Sequence, residues 1–155
     1  MTPEREMDAL TVRPVRADDE AAWREMWKGY CDFYEEVIEA PVTATTWERL
    51  LNPDWPIAAL VAAGGDELVG FANYVVHPRT WSQEPVCYLE DLFVRPAARG
   101  RGAGRALIER LVELGRERGW AHVYWHTRQD NATARALYDS FTPADDFVRY
   151  VVGGS

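Results

Sequence analysis

Residues 88–94, YLEDLFV, run without pause into RPAARGRGAGRA, and this junction constrains the chain more than any other stretch. The first seven residues read as a strand, Pro96 breaks it, and Gly100, Gly102 and Gly104 form a turn that opens into an amphipathic helix. A strand passed to a helix through glycines presents several backbone N–H groups at the positive helix end, and the missing side chains let a ligand come close. That is an anion cradle, suited to phosphates. Two familiar phosphate loops fail on spacing. A Walker loop needs Lys and Ser/Thr after its last glycine, where this chain has Arg105 and Ala106; a G-x-G-x-x-G fingerprint needs a third glycine where Arg105 stands. The pattern that fits is R-x-x-G-x-G, at Arg99, Gly102 and Gly104.

The rest of the chain supplies a frame for this turn. Its 155 residues suffice for one core, so residues 1–10 read as a loosely held tail and 11–155 as a single domain. A short strand is expected at 11–15. Asp18 or Asp19 can then cap a helix whose Trp23, Trp27, Tyr30, Tyr34 and Val37 recur at helical spacing. Near its end Tyr30, Tyr34, Glu35 and Glu36 gather polar tips that suit either core packing or a pocket for an amine. After Pro41, TTWERLL predicts a short helix capped by Thr45 or Thr46 and stopped at Asn52-Pro53. Residues 57–63 and 68–76 predict strands joined through Gly64-Gly65-Asp66-Glu67, followed by a loop with Trp81 and the strand at 86–94, an antiparallel meander. Leu107, Leu111 and Leu114 stripe the helix after the cradle, which ends at Gly119. Ala121, Val123 and Trp125 alternate as a strand that a βαβ crossover makes parallel to 86–94. Asn131 caps a short helix with Ala134, Leu137 and Tyr138, and residues 146–152, containing FVRYVV, read as a last strand.

This order, with R-x-x-G-x-G behind an apolar strand, resembles the GNAT family of acetyl-CoA-dependent N-acetyltransferases over residues 12–150. GFANYVV, the Trp81 loop, YLEDLFV and the later N-x-x-A-x-x-L-Y are similar to its diamine (spermidine/spermine) and Hpa-type branch. The resemblance implies a single-domain α/β fold of the acyl-CoA N-acyltransferase kind, an α+β arrangement whose mixed sheet splays open beside the cradle. It also implies acetyl-CoA as co-substrate, no metal, and a homodimer. Cofactor contacts are expected from Leu92, Phe93 and Val94, from Arg99, Gly100, Arg101, Gly102, Ala103, Gly104 and Arg105, and from Asn131, Ala134 and Tyr138. After Tyr138 the chain departs from the usual Y-x-x-x-G-F ending, with DSFTP at 139–143, so the turn that follows must differ.

Acetyl transfer to an amine needs a base, a donor to the oxyanion and a proton for the departing thiolate. The resemblance assigns the base to Glu90, through a water, and the acid to Tyr138, whose phenol stays protonated at neutral pH. A backbone N–H near Phe93 or Val94 suits the oxyanion. Regular alternation sends Glu90 and Asp91 to opposite faces; a bulge, which the family implies, would let Asp91 join Glu90 at the acceptor. Tyr30, Tyr34, Glu35, Trp81 and Asp91 are the expected acceptor contacts. A formal charge of −8 disfavours nucleic acid and anionic membrane, and complements a small cationic amine. No apolar run spans a bilayer and residues 1–10 lack an apolar leader core, so a cytoplasmic protein is expected. Cys31 and Cys87 lack metal or disulfide spacing, and His122 and His126, roughly 13 Å apart along a strand, cannot share a metal. The expected activity is N-acetylation of a polyamine- or diamine-like acceptor. A protein or peptide lysine acetyltransferase and a non-catalytic acyl-CoA-binding module are the alternatives.

Overall fold

The structure, a computed structural model, describes residues 9–153; residues 1–8 of the expected tail lie outside them. Five strands form one sheet in the order β1 (Leu10–Pro14), β2 (Ile57–Gly64), β3 (Glu67–His77), β4 (Val86–Val94) and β5 (Val123–Trp125). The first four are antiparallel neighbours, and β5 runs parallel to β4. The mixed sheet follows from its connections. Short turns fold β2, β3 and β4 back on one another, whereas β4 reaches β5 through the helix α3 (Ala103–Arg118).

The nearly unbroken apolar run IAALVAAG makes β2 a strand buried on both faces. Ala59, Val61 and Ala63 join Trp23, Met26, Trp47, Phe71 and Phe93 in one core cluster beneath helices α1 (Glu20–Phe33) and α2 (Ala40–Leu51). Leu60 and Ala62, equally buried, face the other way. On that second face α3 buries Leu107, Ile108, Leu111 and Leu114. Leu107 lies against Gly70, the neighbour in sequence of Phe71. α1 sits very close to the sheet, since a Cβ at Gly29 would meet the Phe93 ring at 2.9 Å.

Four expectations are corrected. α1 stops at Phe33, and Glu35 turns into the left-handed region at φ 55°, so Val37 is exposed and takes no part in the core. Asp19 precedes α1 without a capping bond, because its carboxylate accepts two bonds from Arg13 at 2.7 and 2.9 Å and one from the Arg16 N–H at 2.7 Å. α2 begins at Ala40 instead of near Thr45, with Pro41 in its first turn, where a missing N–H costs nothing. Residues 146–152 are not a strand: they have no regular secondary structure and no ladder partner among the described residues, and Phe147, Tyr150 and Val152 are exposed.

The chain divides into two compact units, within Met1–Trp125 and within His126–Ser155. The second contains helix α4 (Ala132–Asp139). Among the described residues no helix is long and apolar enough to cross a membrane.

Candidate active site

The cradle is built from backbone. A single 3₁₀ turn at Pro96–Ala98 ends β4, then Gly100 and Gly102 both take φ 83°, and Gly102 caps α3 with no side-chain bond. The positive φ excludes most side chains, and a Cβ at either glycine would meet nothing within 4 Å. The turn therefore opens outwards, with first-turn amides that have no intrahelical acceptor. Arg99 and Arg105 are exposed. Arg101 instead turns back towards Gly64, where its guanidinium would lie 3.0 Å from an added Cβ, and its buried Nε has no hydrogen-bond partner. Arg95 pins the strand exit by donating to the Leu68 carbonyl at 2.8 Å and pairing with Glu25.

Ahead of the cradle, β4 carries the irregularity that sequence alternation hides. Asn73 pairs with Asp91 and the next residue, Tyr74, with Leu89, so Glu90 is an extra residue in a β-bulge. β5 pairs only with Cys87, Tyr88 and Leu89. The outer edge of β4 from Glu90 to Val94 therefore has no strand partner among the described residues, and the main-chain groups of Leu92 and Val94 point along this edge. The expected main-chain contact from Phe93 is corrected: the Arg95 N–H donates to the Val69 carbonyl, so by alternation Phe93, opposite Phe71, also turns its main chain to β3. The Phe93 side chain is core, packed on Phe71 at 5.9 Å.

The bulge turns Asp91 towards α1. Its carboxylate accepts from the Asn73 amide at 3.1 Å and hydrogen-bonds with Tyr30. Burial raises the Asp91 pKa, and the bonds from Tyr30 and Asn73 oppose that rise. Glu90 is more exposed, and its pKa is raised first by burial and then by the neighbouring charge of Asp91. A carboxylate moved upwards from its ordinary range is a better proton acceptor near neutral pH. The Tyr30 hydroxyl is held protonated by burial and by Asp91.

Tyr30 and Tyr34 lie together at a ring separation of 4.9 Å, and Tyr30 extends a stack with Trp27 and Trp23. Two other expected acceptor contacts are open to solvent: Glu35 on the turn after α1, and Trp81, over whose ring the Arg79 guanidinium lies at 5.4 Å. Sequence reasoning missed Asn73. A carboxamide inside the apolar strand GFANYVV was the available signal, because buried polar groups are nearly always hydrogen-bonded. Both thiols are buried; burial pushes Cys87 up to about 12, which makes it inert as a nucleophile. No three His, Cys, Asp or Glu side chains among the described residues converge on a metal position.

In the second unit, the Asn131 side chain accepts from the Ala134 N–H at 3.3 Å and starts α4, as its sequence predicts. Asn131, Ala134 and Tyr138 are spaced at i, i+3 and i+7 and so share one helix face, on which each is part-buried. The Tyr138 carbonyl accepts from Phe141 and Thr142, closing the helix in place of the missing glycine.

The model of the Acetyltransferase (GNAT) family matches residues 22–141. The chain is 36% identical over 150 residues to the D-amino-acid N-acetyltransferase HPA3 of Saccharomyces cerevisiae, covering 95% of this chain and 92% of that one. It is 28% identical over 137 residues to the aminoglycoside N(6')-acetyltransferase type 1 of Klebsiella aerogenes, covering 82% and 84%. Among solved structures, AAC(6')-Iy in complex with a CoA-based bisubstrate analog has the same fold, with a TM-score of 0.81 at 19% identity over 95% of this chain and 99% of that one. The glycine turn, the mixed sheet and these likenesses agree, and the chain belongs to the GNAT acetyltransferase family.

Proposed function

We propose that this acetyltransferase moves the acetyl group of acetyl-CoA to the primary amine of a small cationic acceptor, diamine- or polyamine-like, by direct attack. One observation carries the reading: a bulge sets Glu90 and Asp91 beside a strand edge that has no strand partner among the described residues and leads into an open glycine turn. Acetyl-CoA, when bound, supplies an activated acetyl thioester. The residues fit the group: the space at Gly100 and Gly102 is open towards the amides of residues 100–105, whereas the Arg99 N–H already donates to the Pro96 carbonyl.

Each step then has a residue. Asp91 attracts the acceptor ammonium, and Glu90 takes its proton through a water, with a basicity that burial enhances. As the C–N bond forms and the C–S bond breaks, the outward backbone N–H of Val94 bonds the developing oxyanion, since that of Phe93 is turned to β3. Tyr138 returns a proton to the thiolate, a role taken from its place in N-x-x-A-x-x-L-Y. Tyr30 and Tyr34 line the acceptor side. From the family likeness we also take the protein to be a homodimer, which sedimentation of the purified chain tests.

A second reading, acetylation of D-amino acids, is favoured by the 36% identity to the yeast enzyme of that name. Purified protein incubated with acetyl-CoA and a panel of amines, followed by free-thiol release, decides between them. Turnover of spermidine or a diamine supports the leading proposal, and turnover of D-amino acids alone selects the second. Basic peptides as sole acceptors, or saturable acetyl-CoA binding with no turnover, would overturn both.

A further inference from the structure

We infer that Asn73 is a positioning residue: anchored on the Trp23 indole, it aims an N–H at Asp91 and so fixes the orientation and charge of the acceptor carboxylate. This rests on the reading of Asp91 given above. The direction of each bond is forced. An indole N–H can only donate, so the Trp23 Nε1 contact at 3.4 Å identifies the facing atom of Asn73 as its carbonyl oxygen. The amide nitrogen is thereby left at the other end of the carboxamide, 3.1 Å from Asp91 Oδ2. That oxygen must accept, and a proton on it would meet a donor head-on.

The anchor itself has no room to move. Trp23 is fully buried, stacked on Trp27 at 5.3 Å and tilted against Trp47 and Phe71 at 5.3 and 6.0 Å. Asn73 is 5% exposed, and the bulge brings Asp91 opposite it in register. The relay therefore runs from a rigid core ring to a half-buried carboxylate at the site. The groups facing Asp91 are Glu90 on its own strand, Tyr30 and Cys31 on α1, and the neutral Asn73 on β3. Tyr30 and Cys31 are both shifted towards staying protonated, so in mildly acidic to neutral solution only Glu90 and Asp91 titrate.

The test compares Asn73→Leu, Asn73→Ser and Asp91→Asn with the wild type. The acceptor is the panel amine turned over fastest, and the carboxyl-carbon NMR titration of Asp91 is a readout independent of any acceptor. Removing a donor to a carboxylate raises its pKa, so in Asn73→Leu the Asp91 titration and the acidic limb of kcat/KM both move to higher pH. The KM for the amine rises about tenfold with that for acetyl-CoA unchanged, the size expected for one bond to a charged group. Asn73→Ser, whose hydroxyl can still donate, falls between. If Asp91→Asn raises the amine KM while both Asn73 variants keep the wild-type KM and titration, and only melt earlier, Asn73 is merely structural and the inference is overturned. If Asp91→Asn leaves the amine KM unaltered, the reading of Asp91 fails first and takes this inference with it.

Discussion

The glycine turn at residues 99–105 and the bulge at Glu90 adjoin on one strand and its exit, yet they are opposite kinds of site. In the proposed mechanism the turn would work through main chain. Its φ of 83° at Gly100 and Gly102 and the empty space around both make it intolerant of a Cβ but nearly indifferent to the neighbouring side chains. The bulge would work through side chains. Its function depends on which residue faces α1, a register set by pairing with β3. A phosphate grip can thus be written as spacing along the chain, whereas a pair of carboxylates takes its meaning from a neighbouring strand.

That contrast can be broken at either end. The largest effect is expected from Gly102→Val, which strains a left-handed residue by about 1–2 kcal/mol and fills the cradle mouth. Acetyl-CoA affinity by calorimetry should fall about 100-fold, as several amide bonds to a diphosphate are lost, with the amine KM of the residual activity preserved. Wild-type affinity in this variant would remove the cradle from the site. Asp91→Asn should lower kcat/KM for the amine about 30-fold, the cost of one desolvated ion pair, while calorimetry shows acetyl-CoA binding intact. In the wild type kcat/KM should rise with pH through the elevated pKa values of both Glu90 and Asp91, and in Glu90→Gln only the Asp91 step should remain.

Tyr138→Phe should lower kcat about tenfold with little change in acetyl-CoA affinity, and an unaltered kcat would strike Tyr138 from the mechanism. Asp19→Asn serves as a reference outside both regions. It breaks the two-point pair with Arg13 and should cost about 2 kcal/mol in denaturant unfolding, with kcat and both KM values unchanged. The Asp19 carboxyl is depressed chiefly by its bond from Arg13. The pair's contribution is therefore present above the ordinary aspartate pKa and lost as pH falls through the depressed one. In Asp19→Asn that acid-side loss should be absent from the stability profile.

How far the sequence could be read follows the same division. The bounds of β4, the hairpin through Gly65, the Gly119 stop of α3 and the Asn131 cap were legible because each is a local event: a β-rich run, a positive φ, a side-chain acceptor three residues from its donor. The helix opening at Pro41 was misread because proline disrupts only a helix interior. Asp19 is a plausible cap by position, yet the Arg13 guanidinium six residues upstream competes for the same oxygens. FVRYVV has strand composition, but a strand exists only with a partner, and composition does not supply one. The bulge was expected only by family likeness, since a ladder's extra residue is defined by the strand opposite.

The edge of β4 beyond Leu89 carries a further consequence for handling the protein. Unclaimed sheet margins template other chains, and natural proteins usually blunt them with lysine, proline or a covering segment. Here Leu92, Phe93 and Val94 supply neither lysine nor proline. A molecule that lies along this margin during turnover also shields it, so catalysis and colloidal behaviour share the same few main-chain groups. Preparations saturated with coenzyme A should clump more slowly on warming than bare protein, by light scattering, even at equal melting temperature.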